Sequence, residues 1–276
     1  MRALSLAYHT APELGPLDAV RVAAQVGCTH VGMRLAGGSN GDALMPIATD
    51  VALQRAVVEV LRGEGMAVLE ASTVRLTPSV DADLFAPFCE AAAALGARFV
   101  LTNADDAEFS RLAENVGRLT EAATNVGLET HFEFVSWSAT PDLSAALALR
   151  HAIGKQDLKI ALDALHFDRS HGRSAHISAV DPSAFGDFHI CDALHAANPS
   201  REEQLHTAVH ERMFPGEGEL DLIGMLDALP VDLPILIEVP MRDLARTVPA
   251  QARARRAVAA TRNVLASCKS KMEAAK

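Results

Sequence analysis

The feature that most constrains this chain is a rhythm: short apolar runs alternate with longer, alanine-rich amphipathic stretches along its whole length. Apolar runs of this kind suit parallel strands buried on both faces, and the amphipathic stretches suit helices packed over them. The spacing predicts strands over 3–8, 29–35, 66–73, 98–102, 128–134, 158–162, 185–191 and 235–239. Helices are expected over 16–26, 50–63, 81–95, 107–125, 141–153, 220–229 and 249–266. The first of these begins with Pro16 in its opening turn and stops at Gly27. Eight strands, each with a helix, in 276 residues is what a closed (β/α)8 TIM barrel requires, so one barrel domain over 1–276 is expected. A doubly wound sheet ranks second. Its first strand should lead into a GxGxxG turn, and here the glycine-rich stretch Gly37-Gly38-Ser39-Asn40-Gly41 follows the second strand, without a phosphate loop's Lys-Ser/Thr. That stretch reads as plain backbone rather than a nucleotide cradle.

Composition narrows the class of partner. Hydrophobic residues make up 49% of the chain and charged residues 22%, which supports a packed core. With 25 Lys+Arg against 35 Asp+Glu the net charge is −10, which repels a polyanion, so small-molecule chemistry is expected and nucleic acid is not. No apolar run reaches the roughly 18–20 residues that span a bilayer. The start, Met1-Arg2-Ala3-Leu4-Ser5, lacks a signal peptide's apolar stretch, so a cytoplasmic protein without membrane contact is expected. Cys28, Cys89, Cys191 and Cys268 form no CxxC pair and read as buried, reduced thiols. The basic stretch from Arg253 to Lys276 has no interleaved aromatics and reads as a solvated helix face, frayed from about 267 onward. Phe85, Phe88 and Phe109 are candidates for a contact between copies of the chain. The polar segment 192–218, rich in His and Glu, is expected to form a lid over the barrel mouth.

Side chains at the C-terminal ends of barrel strands face that mouth. Four consecutive strands end in ligand-type residues: His131-Phe132-Glu133, Asp163-Ala164-Leu165-His166, His189-Ile190-Cys191-Asp192 and Leu236-Ile237-Glu238. Taken singly, such a carboxylate is often a helix N-cap and such a histidine a core residue. Taken together, three carboxylates and an imidazole converging at one place stay desolvated and repel unless a divalent cation neutralises them. Glu133, Asp163, His189 and Glu238 are therefore the expected ligands of one divalent metal ion. An oxygen-rich set with one imidazole suits Mn²⁺ first, with Mg²⁺, Co²⁺ and Zn²⁺ as alternatives.

These residues, in this order, resemble the xylose-isomerase-like TIM barrel superfamily, the sugar phosphate isomerases/epimerases, over essentially the whole chain. The stretches Asp163 to Arg169 and Pro215-Gly216-Glu217-Gly218-Glu219-Leu220 also look like segments of that family. The resemblance implies one metal held by Glu133, Asp163, His189 and Glu238, with the two glutamates on opposite sides of the substrate as an acid/base pair, and His166 in contact with substrate. One branch of the superfamily cleaves phosphodiesters with three metals and needs further histidines on earlier strands. Here strands two to four end around Arg34, Glu70 to Thr73 and Asn103, so that activity is not expected.

Chelation of a carbonyl and a neighbouring hydroxyl acidifies the C–H between them, and a carboxylate can then remove the proton. Return of the proton gives isomerisation or epimerisation; loss of a β-hydroxyl gives dehydration. The expected activity is that of an isomerase/epimerase of a small keto-sugar or keto-polyol, with Glu133, Glu238 and His166 catalytic. A dehydratase of the inosose or 3-dehydroshikimate type is the second reading, and a catalytically silent metal-binding protein the third. Arg34, Arg169 and Arg212 are candidate anchors for an anionic group on a polyol or keto-acid substrate. Strand parity adds that His131 and Glu129 point inward with Glu133, Lys159 with Asp163, and Asp187 with His189. Lys159 is then expected to pair with Glu129 or Asp187, and His131 to lie beneath the metal and orient a ligand carboxylate. The alternative is that strand stagger carries these groups to the opposite rim.

Overall fold

The computed structural model describes residues 2–37 and 43–274. Eight parallel strands form a closed barrel: β1 (Leu4–Leu6), β2 (His30–Arg34), β3 (Ala67–Leu76), β4 (Phe99–Ala104), β5 (Glu129–Glu133), β6 (Leu158–Asp163), β7 (Phe185–Ile190) and β8 (Ile235–Ile237). The cylinder closes because β1 pairs with both β2 and β8, placing Leu4 beside Ile235 and Leu6 beside Ile237. The main helices are α1 (Pro16–Gln25), α2 (Val51–Glu64), α3 (Phe85–Ala94), α4 (Phe109–Asn125), α5 (Leu143–Ile153), α6 (Ala164–Arg169), α7 (Arg201–His210), α8 (Leu222–Ala228) and α9 (Ala250–Ala274). The (β/α)8 architecture read from the rhythm is the one observed.

Local chemistry starts and stops these elements. Asp50 caps α2 by accepting from the Ala52 and Leu53 N–H groups, and Gly65 ends it at φ 65°, where a side chain is strained. On α4 the buried residues Leu112, Val116, Leu119 and Ala123 recur at three- and four-residue spacing, which gives one apolar stripe. Strand ends differ from expectation where pairing extends them. β3 continues to Leu76 because its register with β4 resumes beyond a shift, with Arg75 beside Asn103 and Leu76 beside Ala104. β8 stops at Ile237, so Glu238 lies on the segment leaving the strand. Thr10 secures that segment: its hydroxyl donates to the Ile237 carbonyl at 2.7 Å and accepts from the Val239 N–H at 2.9 Å.

The main core lies between strands and helices, with Phe88, Phe132, Phe167 and Phe188 buried in it. A smaller apolar group, Ala7, Leu69, Phe99 and Leu236, is separate from it. Phe99 stacks on the buried His131, with ring centres 3.6 Å apart. Glu70 is also buried, and Gly32 makes room for it: a Cβ there would lie 1.9 Å from Glu70 Oε1.

Several surface expectations are corrected by packing. Phe85 and Phe88 are core residues and only Phe109 of the three aromatics is exposed. The basic residues of α9 bind it to the barrel rather than face solvent alone: buried Arg253 pairs with Glu13 at 2.6 Å, Arg256 with Glu217 at 2.8 Å, and Arg262 donates to the Gly27 carbonyl. Helical backbone continues to Ala274, through most of the stretch expected to fray. The glycine-rich stretch from Gly38 lies outside the described residues. All four cysteines are buried and none forms a disulfide, and burial pushes the Cys28, Cys89 and Cys191 thiols up to about 12. Among the described residues no helix is long and apolar enough to cross a membrane.

The segment expected as a lid contains α7. Its start is a capping box in which Ser200 Oγ accepts from the Glu203 N–H and the Glu203 carboxylate accepts from the Ser200 N–H. Leu205, Ala208 and Val209 of this helix line the cavity at the barrel mouth.

Candidate metal centre

Barrel register brings the ligand-type residues level. Glu133 pairs in register with Asn103, Asp163 with His189, and His189 with Leu236, two residues before Glu238. One ligand atom from each of Glu133, Asp163, His189 and Glu238 lies within 4.8 Å of the others. His189 Nδ1 points into the group, 3.4 Å from Glu133 Oε1, 3.3 Å from Glu238 Oε2 and 3.9 Å from Asp163 Oδ2. Asp163 has two roles. Its Oδ1 accepts from the Leu165 and His166 N–H groups and caps α6, while Oδ2 turns to the cluster.

The charges decide whether a cation fits. Arg212 lies in the cluster rather than at its edge, with Nη1 2.5 Å from Asp163 Oδ2 and 3.2 Å from Glu238 Oε2. Its Nε donates to the Ala208 carbonyl, which fixes the guanidinium in place. Burial alone would raise the Glu238 carboxyl, but Arg212 and His189 outweigh it and hold Glu238 well below the usual carboxylate range. One guanidinium offsets one of three buried carboxylates. The two remaining negative charges, converging with an imidazole nitrogen, suit one divalent cation.

Beneath the cluster, Asp187 Oδ1 lies 2.5 Å from His131 Nδ1, and Oδ2 lies 2.7 Å from His189 Nε2, off the line of that N–H bond. Burial opposes the ionised form of Asp187, yet His189 and His131 hold its carboxyl down at about 2. His131 is therefore below the site, as parity implied, but it touches Asp187 rather than a ligand carboxylate, so its influence passes to the ligand His189. His131 Nε2 reaches Glu129 at 3.4 Å. Gly186 makes this arrangement possible, since a Cβ there would lie 2.4 Å from the His131 ring. Lys159 does not join it: strand stagger carries the ammonium away, to the Ser183 carbonyl at 3.1 Å.

His166, on α6, is buried against the edge of Trp137 at 4.9 Å, and burial lowers its imidazole below the ordinary value, favouring the neutral form. A cavity of about 410 Å³ opens at the cluster and is lined by Glu133, Glu238, Arg212, His166 and Arg34. Arg169 is elsewhere. It pairs with Asp168 at 2.6 Å, donates to the Leu194 carbonyl, and lines a separate cavity under the 193–213 segment.

The model of the family described as xylose isomerase-like TIM barrel matches residues 20–264. The chain belongs to the xylose isomerase-like TIM barrel family. Solved structures of similar fold include the IolI protein with a bound zinc atom, 17% identical with a TM-score of 0.79 over 97% of this chain and 99% of that one. A D-allulose 3-epimerase from Methylomonas sp. is 14% identical with a TM-score of 0.71, over 95% of this chain and 98% of that one. A fusion of a xylose isomerase-like TIM barrel with a 4-hydroxyphenylpyruvate dioxygenase is 18% identical with a TM-score of 0.79. This chain is covered to 99% in that match but spans only 44% of the fusion protein. None of the curated proteins compared with the chain matches it.

In this xylose isomerase-like barrel, sequence reasoning missed part of the cavity wall. His9 follows β1, Thr73 and Arg75 lie on β3, Asn103 on β4, and Trp137 beyond β5. Asn103 ends an apolar strand, the signal used for the ligands, and Trp137 is the single tryptophan in the chain. Arg75 gave no signal, because it lies beyond the strand end that periodicity suggested. The PGEGEL segment is structural here: Asp192 accepts from the Gly216 and Leu220 N–H groups, and a Cβ on Gly218 would lie 2.4 Å from Asp192 Oδ1.

Proposed function

We propose that the barrel is a divalent-metal-dependent isomerase or epimerase of a small keto-sugar or keto-polyol, with manganese as the metal. The observation that carries this reading is the buried cluster Glu133, Asp163, His189 and Glu238, whose ligand atoms lie within 4.8 Å of one another. A divalent cation held there would supply electrostatic stabilisation for negative charge developing on adjacent substrate oxygens. Glu133 and Glu238 belong to β5 and to the segment after β8, so they approach the mouth from well-separated parts of the barrel wall. One removes the proton from the carbon beside the carbonyl and the other returns it. His166, neutral and buried, contacts a substrate hydroxyl and is the group placed to protonate a departing one, which is the step a dehydratase needs. Trp137, Leu205 and Val209 limit water around the reacting atoms. The similarity in fold to an epimerase and to a zinc-containing relative supports the reading.

The test is a panel of ketoses with Mn²⁺-loaded protein in D₂O, followed by NMR for deuterium at the carbon next to the carbonyl. Glu133→Gln is expected to slow exchange by about 10²- to 10⁴-fold. Stoichiometric metal with no exchange on any ketose leaves the silent metal-binding reading in its place, and an unsaturated product shows a dehydratase.

A further inference from the structure

Charge is divided unequally between the two sides of the cavity. On the late-strand side, Arg212 and one divalent cation together neutralise Glu133, Asp163 and Glu238. On the early-strand side stand Arg34, Arg75, Thr73 and Asn103. Arg75 already has a carboxylate partner, with Nη2 3.0 Å from Asp105 Oδ2, which the exposed Arg201 outside the cavity lining also approaches at 3.6 Å. Arg34 has none: among the described residues no carboxylate lies within 4.0 Å of it. Its Nε donates to the Ala36 carbonyl at 3.0 Å, and its guanidinium lies 5.3 Å from the centre of the Tyr8 ring. The Tyr8 ring supports the guanidinium, and neither terminal nitrogen has a protein acceptor among the described residues. Thr73 and Asn103, on the neighbouring strands β3 and β4, line the same cavity, and their side chains make no hydrogen bond among the described residues. Between Arg34 and the ligands lies His9, whose imidazole burial keeps below its ordinary value, so it adds no charge there. Among the described residues that line a cation-loaded site, Arg34 is therefore the positive charge without a carboxylate partner, beside two groups able to hydrogen-bond.

We infer that the substrate carries a single carboxylate, bound by Arg34 with Thr73 and Asn103 on the early-strand wall of the cavity. This rests on the metal-dependent reading above. A carboxylate matches the charge and the planar fork of the Arg34 guanidinium, which has no carboxylate partner among the described residues. A phosphate monoester, with about −1.5 to −2 charge at pH 7, would leave excess negative charge in a cavity already walled by carboxylates. A neutral ketose would leave Arg34 unused. The substrate class is thus a hydroxylated keto-acid, with chelating oxygens at one end and the carboxylate at the other.

Three probes of one carbon skeleton separate these cases: D-fructose, D-fructuronate and D-fructose 6-phosphate, titrated calorimetrically into Mn²⁺-loaded protein. D-fructuronate is expected to bind about 10- to 100-fold more tightly than D-fructose, and more tightly than the phosphate ester. Arg34→Met is expected to bring D-fructuronate down to the affinity of D-fructose while Mn²⁺ stoichiometry is kept, and Arg34→Lys to restore part of the preference. Equal binding of the neutral and carboxylated ketoses, preference for the phosphate, or no binding of D-fructuronate overturns the inference while bound Mn²⁺ leaves the metal centre standing. Failure of the parent protein to take up Mn²⁺, seen before any ketose is added, overturns both readings.

Discussion

Glu70 is a carboxyl inside the barrel that the proposed chemistry does not use. Burial pushes it up to about 8, against 4.5 for an unperturbed glutamate, so the folded protein carries its proton at neutral pH. Between those two values the folded state binds a proton that the unfolded chain has lost, and stability falls as pH rises through the interval. Glu70→Gln keeps the shape and removes the titration. The variant is expected to exceed the parent in stability by on the order of 5 kcal/mol at pH 8.5 and nearly to coincide with it below pH 4.5. Urea unfolding at both pH values measures this, and an equal gap at each contradicts it. At this scale the four residues of the cluster were legible, because polar residues ending apolar strands break a simple pattern. Period-two alternation also found His131 and Asp187 inside. It could not show that Asp187 reaches both His131 and His189, since contact depends on which rotamers meet across neighbouring strands.

At the scale of elements, α7 is the part of the barrel mouth with least apolar anchoring, since Ala208 is its one buried residue. Its start is held by the Ser200 capping box, and its polar ties to the rest of the barrel include the bond from Ser136 Oγ to Gln204 Oε1 at 2.7 Å, the bond from Arg212 Nε to the Ala208 carbonyl and the Arg201–Asp105 ion pair. Ser200→Ala removes a cap worth about 1 kcal/mol. Amide exchange across 201–210 is expected to quicken severalfold while the thermal midpoint of the whole barrel stays within about 1 °C. A large drop in that midpoint would mean that α7 folds together with the core. The Ser-Arg-Glu-Glu start of this helix was readable as a capping box, but its weak apolar periodicity left the segment as an irregular lid. The opposite holds for α2 and α4, whose stripes and carboxylate caps made their positions plain. β3 ran past its expected end because pairing with β4, a partner distant in sequence, extended it.

Across the whole molecule, the four ligand residues join the second half of the barrel around one point. A cation that binds only this folded arrangement stabilises it by mass action, by about 2.7 kcal/mol at one hundred times its dissociation constant. Mn²⁺ is expected to raise the melting temperature and EDTA to reverse the gain, with Asp163→Asn losing most of the difference. Melting curves that do not respond to Mn²⁺ in the parent would argue against a shared ion. The alternation of apolar runs and amphipathic stretches was enough to determine eight strands, seven of the helices and the strand-end residues bound for the mouth, because both are periodic and periodicity is a local property. Closure of the cylinder decided the rest. Arg34 and Arg212 face the cavity and Arg169 does not, Lys159 leaves the interior, and Arg75 and Asn103 form a wall. Those outcomes follow from strand stagger and from the reach of long side chains, which are set only when residues far apart in the chain pack against one another.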